Sequence, residues 1–352
     1  MTIVFAILLF SFLIFIHELG HFVAAKLSGV QVNEFALFMG PAIFKKKKGE
    51  TLYSIRLIPF GGYCAMEGEN GDSENPRAFT AAKWWKRLII LIAGSFMNLL
   101  IGFLLLLIVR LPAHEQVVPV IASFEDYCTV DGEQGLQVGD RIVELDGETI
   151  YFKSDIDMVS MLNPGQVHDI VVERNGEEVQ LNDFCLERHT VMRDGKETQL
   201  VGMNFQLISP TFGEKLEFAW YDCVNSVRTV RLSLQMLING DAGLSDMTGP
   251  VGLVDYMNQT AEASETTGDA VLNVLSIGGL IAINLAVMNM LPIPALDGGR
   301  AVGLLITTAV EKITRKKVNP KYEGWIHAIG MIPLLALMVY ILFKDVFTIF
   351  TR

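Results

Sequence analysis

The sequence predicts a polytopic α-helical membrane protein of about four transmembrane helices, with a cytoplasmic membrane-associated β-hairpin and one extracytoplasmic β-rich domain. Three observations lead there. Hydrophobic residues make up 51% of the 352-residue chain, more than an ordinary soluble protein carries. Apolar runs long enough to cross a hydrocarbon core of about 30 Å recur along it. Lys and Arg gather in two of the connecting segments, and Asp and Glu in a third.

The first span covers residues 1–27. A cleavable signal peptide is the alternative, but this run has no basic residue ahead of its apolar stretch, and its first lysine, Lys26, follows it. His17, Glu18 and His21 are also an expensive cargo for a discarded tag. Residues 28–87 form a loop in which about 51–67 hold two β-suited runs around Gly61-Gly62, a hairpin signal. That hairpin is too apolar for open solvent and is expected to be re-entrant, its backbone paired within protein or bilayer. The second span is 88–111. Residues 117–207 read as a β-rich domain: short runs such as Arg141–Leu145 and Asp169–Glu173 are separated by the turn signals Asp146-Gly147, Asn163-Pro164-Gly165 and Asn175-Gly176. Residues 209–270 carry an amphipathic helix, Phe218–Ile238, and a linker; the helix can lie on the membrane surface or against the β-rich domain. The third span, 271–313, is interrupted by Pro292 and Pro294 and continues as a further helix. The fourth is 326–346.

Residues 26–88 hold 10 Lys/Arg, including Lys45–Lys48, and 292–325 hold 6, whereas 112–215 hold 7 against 20 Asp/Glu. The positive-inside rule therefore places the basic loops in the cytoplasm, with both termini and the acidic middle outside. The lysine run suits a topology signal and a contact with anionic headgroups. A net charge of −11 argues against nucleic-acid partners. The four cysteines include no Cys-x-x-Cys pair, and no disulfide is predicted among Cys128, Cys185 and Cys223.

Chemistry concentrates in His17-Glu18-Leu19-Gly20-His21. Residues four apart share a helix face, so both imidazoles can reach one metal ion while Glu18 projects beside them as a general base for water. Three ionisable residues in five positions of a span are hard to explain as packing, although an interhelical polar cluster is the bland alternative. A catalytic zinc site needs a third protein ligand and an open fourth position. Asp297, in the helix-breaking segment Asn289–Gly299, is the acidic residue at membrane depth that can supply it; capping of the helix that follows is its other reading. His114, His168, His189 and His327 have no ligand-like spacing.

His-Glu-x-x-His in the first span, joined to Asn289-Met-Leu-Pro-Ile-Pro-Ala-Leu-Asp-Gly298, resembles the site-2 protease family of intramembrane zinc metalloproteases. The likeness extends to Pro59-Phe-Gly-Gly-Tyr63, Gly94-Ser-Phe-Met-Asn98, Thr248-Gly-Pro-Val-Gly252 and Gly135–Gly147, the last similar to a PDZ domain, with a generic small β-domain as its alternative. It is greatest with the bacterial regulator-of-sigma-factor proteases, and room exists for a single PDZ domain where some members carry two. The resemblance implies a bacterial inner-membrane enzyme holding one Zn2+ per chain through His17, His21 and Asp297, with Glu18 as the base. It implies that Asn289 contacts the substrate backbone or oxyanion, and it places Asn98, Gly61 and Gly62 at the substrate. A hydrogen bond between helices explains Asn98 equally well. The apolar hairpin is expected to offer an edge strand to transmembrane protein or peptide substrates, of which anti-sigma factors and remnant signal peptides are the family's usual kinds. Two other functions are open to the same residues: a catalytically idle membrane scaffold built on the PDZ-like domain, and a zinc transporter. Intact His17, Glu18, His21 and Asp297 weigh against the first, and the lack of repeated halves against the second.

Overall fold

A computed structural model describes residues 2–351 except positions 70, 72, 129–131, 133–134, 163–166, 187–188, 194–195, 241–242, 244–248, 265, 317 and 319. The expected turn at Asn163-Pro164-Gly165 and the start of the Thr248–Gly252 motif lie outside the described residues. The chain forms two compact units, one of residues 1–110 with 218–352 and one of Leu111–Glu217.

The first unit begins with α1 (Thr2–Ser28), β1 (Val32–Lys48), β2 (Thr51–Met66) and α2 (Trp84–Arg110). Among the described residues three helical stretches are long and apolar enough to cross a membrane: Phe5–Ser28, Trp84–Arg110 and Thr267–Met290. Apolar burial contributes little to association between such helices in lipid, so small residues that let backbones approach matter more. A Cβ on Gly20 of α1 would lie 2.4 Å from the Ala93 carbonyl oxygen of α2.

β1 and β2 differ from the hairpin expected within residues 51–67. Both halves of β2 pair with β1 and not with each other: Cys64, Tyr63 and Gly62 lie beside Phe35, Ala36 and Leu37, while Thr51–Ile55 lie beside Lys48–Phe44. The register also sets Leu52–Ile55 beside Glu34–Leu37, so Glu34–Leu37 are flanked on both sides and Gly61–Met66 form an edge. β1 escapes a reading by period because its buried and exposed positions follow no alternation and its sequence runs through Gly40-Pro41 into four lysines. The edge run lies along α1, where Ser11 donates to the Pro59 carbonyl at 3.2 Å.

The second unit contains β3 (Gln116–Phe124), β4 (Arg141–Leu145), β5 (Glu148–Thr149), α3 (Lys153–Leu162), β6 (Val167–Arg174), β7 (Glu177–Cys185), β8 (His189–Arg193), β9 (Lys196–Leu200) and β10 (Met203–Ile208). Its main sheet runs β10-β3-β4-β6-β7, with β5 beside β4; β8 and β9 pair separately. Ile121, Ile142, Leu145, Ile170 and Val172 from the sheet bury Ile156 and Val159 of α3. Arg174 grips the buried Asp140 through two bonds of 2.8 and 2.7 Å.

The chain returns to the first unit through α4 (Phe212–Asn239), α5 (Pro250–Glu262), α6 (Thr267–Met290), α7 (Asp297–Thr314) and α8 (Pro320–Thr351). α4 starts earlier than the amphipathic pattern from Phe218 suggests, because Thr211 and Glu214 form a capping box in which the Thr211 N–H reaches the Glu214 carboxylate at 2.7 Å and the Glu214 N–H reaches Thr211 Oγ1 at 3.3 Å. Arg110 and Asp222 make a two-bond ion pair at 2.8 and 2.7 Å, joining the end of α2 to α4. α6 packs on α2 through glycines: a Cβ on Gly102 would stand 3.1 Å from the Gly279 carbonyl, and one on Gly279 3.3 Å from the Gly102 carbonyl. α5 is a helix that hydropathy alone did not suggest, and buried Asp345 of α8 accepts the Gly252 N–H at its start at 2.9 Å. α6 ends at Met290 and α7 begins at Asp297, with Pro292 and Pro294 between them, and residues 326–346 fall within α8.

Candidate active site

The core that carries the site is assembled from four parts of the first unit. Ala24 and Ala25 of α1, Val32, Phe35, Cys64 and Met66 of the sheet, Ile90 and Leu91 of α2, and Ala301 and Leu304 of α7 pack together. α7 is tied in further by an ion pair from Arg300 to Glu69. This packing brings Asp297, at the first turn of α7, against the histidine face of α1 despite a separation of 276 residues from His21.

Asp297 Oδ2 lies 3.0 Å from His17 Nε2 and 3.1 Å from His21 Nε2, and the two Nε2 atoms are 3.2 Å apart. On the other side of its ring, His21 Nδ1 faces the Ile90 carbonyl at 2.8 Å. A carbonyl only accepts, so Nδ1 carries the proton and Nε2 presents a lone pair to the cluster. The cluster thus gathers two imidazole nitrogens, the one on His21 presenting a lone pair, and a carboxylate oxygen at one place, an arrangement that a single cation satisfies. Tetrahedral zinc with bonds of about 2.0–2.1 Å holds its ligands roughly 3.3–3.4 Å apart. The three separations here fit such an ion, and no other group of three His, Cys, Asp or Glu with metal-holding geometry occurs among the described residues.

Asp297 does not act as a helix cap. Leu296 is the N-cap of α7 and no side-chain capping bond is made there, which leaves the carboxylate to the histidines. The turn that presents it is tight. A Cβ on Gly298 would fall 2.3 Å from the Met290 carbonyl oxygen and one on Gly299 2.2 Å from that of Ile293, while Ala295 is held at φ 83°. Gly330 of α8 closes on the same turn, with room for no Cβ beside Pro294.

Glu18 stands outside the ligand cluster, with the Cys64 N–H directed at its carboxylate and Gly62 against its stem, where an added Cβ would be 3.6 Å from Glu18 Cγ. Gly61 is turned away, at φ 81° against Met39. Asn98 is buried in α2 with its amide nitrogen 3.5 Å from His17 Nδ1, and its Oδ1 has no partner among the described residues. The amide of Asn289 is half-buried and makes no hydrogen bond with the described residues.

Two contributors escaped the sequence reading. The Ile90 carbonyl is backbone and carries no signature. Gly94 faces both rings so closely that a Cβ would lie 2.4 Å from His21 Nε2 and 2.8 Å from His17 Cε1. Its signal was a glycine four residues before a buried asparagine in an otherwise apolar span.

The sequence profile of peptidase family M50 matches residues 5–337. The chain belongs to that family. A Clostridium acetobutylicum protein named as a zinc metalloprotease is 35% identical to this M50 peptidase over 349 residues, spanning 98% of this chain and 97% of the relative. One from Fusobacterium nucleatum, similarly named, is 32% identical over 360 residues, with 99% and 100% covered. The regulator of sigma-W protease RasP of Bacillus subtilis is 26% identical over 437 residues, with 99% of each covered. The M50 peptidase is accordingly an integral membrane zinc metalloendopeptidase of the site-2 protease type.

Proposed function

We propose that this peptidase hydrolyses peptide bonds within or beside transmembrane segments of other membrane proteins, as a step of regulated intramembrane proteolysis. The observation that carries the reading is the convergence of His17, His21 and Asp297 within one apolar helical assembly, with Glu18 next to them and the outer run of β2, Gly61–Met66, against the same helix. His17, His21 and Asp297 would hold one Zn2+ per chain, and a bound ion would supply water acidified towards a pKa of about 7 and an electrophile for the scissile carbonyl. Glu18 takes the proton from the attacking water and delivers it to the leaving amine. A helical substrate hides its peptide bonds, and lying along Gly61–Met66 extends it while restoring its hydrogen bonds in a setting without water. Gly62 lets that strand approach Glu18. The free amide of Asn289 donates to the substrate carbonyl as it gains charge. Asn98 acts from behind: with its amide turned so that Oδ1 accepts from His17 Nδ1–H, it holds that ring for the metal and satisfies its own buried oxygen.

In this reading the sheet and the metal ligands lie towards the cytoplasm of a bacterial inner membrane, with the β-rich unit, as a single PDZ-like domain, and both termini outside, an arrangement that the charge distribution supports. Four spans, the fourth at 326–346, give that arrangement. A relative named as a regulator of sigma-W protease makes anti-sigma factors the first substrates to try, with remnant signal peptides next. Zinc content measured beside cleavage of a transmembrane test peptide, in wild type and Glu18→Gln, tests the reading. One zinc in both proteins with cleavage only by wild type is the expected result; turnover by Glu18→Gln overturns the base, and a zinc-loaded wild type that cleaves no membrane substrate overturns the function.

A further inference from the structure

The sheet of β1 and β2 carries an ionic group among apolar side chains. Met39, Ile43, Ile55, Leu57 and Ile58 of these strands are exposed, and Arg56 lies in their midst, paired with Glu34, each with one-fifth of its side chain accessible. The Arg56 guanidinium holds three points. Nη2 donates to Glu34 Oε1 at 2.7 Å and to the Tyr63 hydroxyl, and Nη1 donates to the Gly40 carbonyl at 2.6 Å. The guanidinium also lies over the Tyr63 ring, 5.1 Å from its centroid. The Tyr63 phenol and, at 2.7 Å, the Ser54 hydroxyl bond to the same Glu34 carboxylate. Arg56 Nε is buried without a partner among the described residues. An ion pair withdrawn from water rarely recovers its desolvation, so apolar residues of similar volume would fill this place more cheaply. Setting a register is what such a group does and apolar packing does not.

These strands need such a device. Burial along β1 does not alternate, and its pairing with β2 shifts repeatedly between Val32 and Phe44. Register is weakly specified where no single face is a continuous core. The clamp joins the three runs that have to be aligned: Arg56 in the inner run of β2, opposite Ala42; Tyr63 in its outer run, opposite Ala36; and Glu34 in β1. Successive side chains of a strand point to opposite faces. With Tyr63 on the clamp side, Gly62 and Cys64 turn towards α1, where Gly62 rests on the stem of Glu18 and the Cys64 N–H is directed at its carboxylate.

We infer that Glu34, Arg56 and Tyr63 are positioning residues that fix the outer run of β2 against Glu18 and so decide which peptide bond of an aligned substrate is cut. The inference rests on the protease reading above. A substrate strand laid along Gly61–Met66 takes its register from that run. When the run is free to slide, the smallest slip that keeps every side chain on its own face is two residues. Loosening the clamp therefore moves the cut by two residues along the substrate and leaves the metal ligands as they were.

The test uses full-length, zinc-loaded protein and a transmembrane peptide whose cleaved segment is all leucine, so that neighbouring bonds are chemically alike and register alone selects among them. Products are weighed by mass spectrometry, and amide exchange is followed across residues 61–66. Wild type yields one main product pair. Tyr63→Phe removes a single phenol and keeps the ring, and it raises the product cut two residues away about 2- to 12-fold relative to the main one, the range of one neutral hydrogen bond. Arg56→Gln removes the charge-assisted bonds and raises it about 12- to 160-fold. Both variants keep wild-type zinc content and exchange faster at Cys64. If Arg56→Gln fails to fold, Tyr63→Phe decides alone. An unchanged product distribution in a folded, zinc-loaded variant overturns the inference, even where all products form more slowly, and so does a wild type that cuts neighbouring leucine bonds equally. A wild type that cleaves nothing removes the protease reading instead; the clamp then stands on faster exchange at Cys64 in Tyr63→Phe and falls on exchange equal to wild type.

Discussion

Replacing Gly94 with alanine tests the architecture of the metal site more sharply than replacing a ligand, because it adds one methyl and removes nothing. That methyl would lie 2.4 Å from His21 Nε2 and 2.8 Å from His17 Cε1. Comfortable contact needs about 3.5 Å, so rings or helices must separate by roughly 1 Å. The His21 ring cannot turn aside cheaply, since its Nδ1 is held by the Ile90 carbonyl at 2.8 Å. Metal ligands tolerate displacements of only about 0.2 Å. Disturbing the partners of a ligand costs about 10–100-fold in metal affinity. A displaced ligand costs at least the upper figure, about 2.7 kcal/mol. Gly102→Ala is the control on the same helix, its methyl meeting Ile283 Cγ1 at 2.6 Å and the Gly279 carbonyl at 3.1 Å. It loosens α2 against α6 at a cost of about 1–3 kcal/mol without touching the ligands. Zinc affinity by competition with a chelator, read beside thermal unfolding in detergent, separates the two. Gly94→Ala with wild-type zinc affinity, or Gly102→Ala losing zinc as steeply, refutes the reasoning.

Other substitutions follow from the same geometry. Asp297→Ala removes the third ligand and leaves substoichiometric zinc after dialysis, whereas a content equal to wild type points to another ligand. Asp345→Ala strips the start of α5 of its buried acceptor and costs about 1–3 kcal/mol, seen as faster amide exchange at Gly252 and its neighbours. Thr211→Ala removes the α4 capping box, at about 1 kcal/mol. Thr211 also holds the Glu214 carboxyl below its ordinary value of 4.5, through a backbone bond first and a hydroxyl bond second. A depressed folded value stabilises above the unfolded one and is lost as pH falls through it. Protection of the first turn of α4, taken relative to the intrinsic exchange rate at each pH, therefore falls on acidification below about 4.5 in wild type, and falls less in Thr211→Ala, which keeps the backbone bond and loses only the hydroxyl one.

What was legible in the sequence was whatever chemistry had written in side chains. His17, Glu18 and His21 share a helix face by spacing alone, and Asp297 stands out as an acid in a proline-broken apolar run, so the three side chains that the fold brings within reach of one another could be singled out from positions spread over most of the chain. The capping signal Thr211-x-x-Glu214 was also present, yet the amphipathic period from Phe218 drew the helix start six residues late. β1 was missed because no period of two marks Val32–Lys48 and its closing turn, Gly49-Glu50, follows four lysines that resemble a solvated loop, and the sheet register depends on contacts between runs that look unremarkable singly. Asn98 was seen but not placed, because an amide in a span looks the same whether it faces substrate or the back of a ligand. The Ile90 carbonyl carries no side-chain signature, and Gly94, although part of the Gly94–Asn98 likeness, takes its role only from the packing that sets the histidine rings against it.

The bond from His21 to the Ile90 carbonyl has an evolutionary corollary. In a helix the side chain at one position leans over the carbonyl four residues earlier, and that position here is Gly94. The carbonyl is open to an outside donor because its usual cover is missing. The group that fixes the His21 tautomer is therefore immune to substitution at Ile90, whose side chain can drift among apolar residues of similar volume. Heredity protects it only through the bareness of Gly94, so the metal site's mutational fragility is displaced from the atom that makes the bond to a residue that makes none.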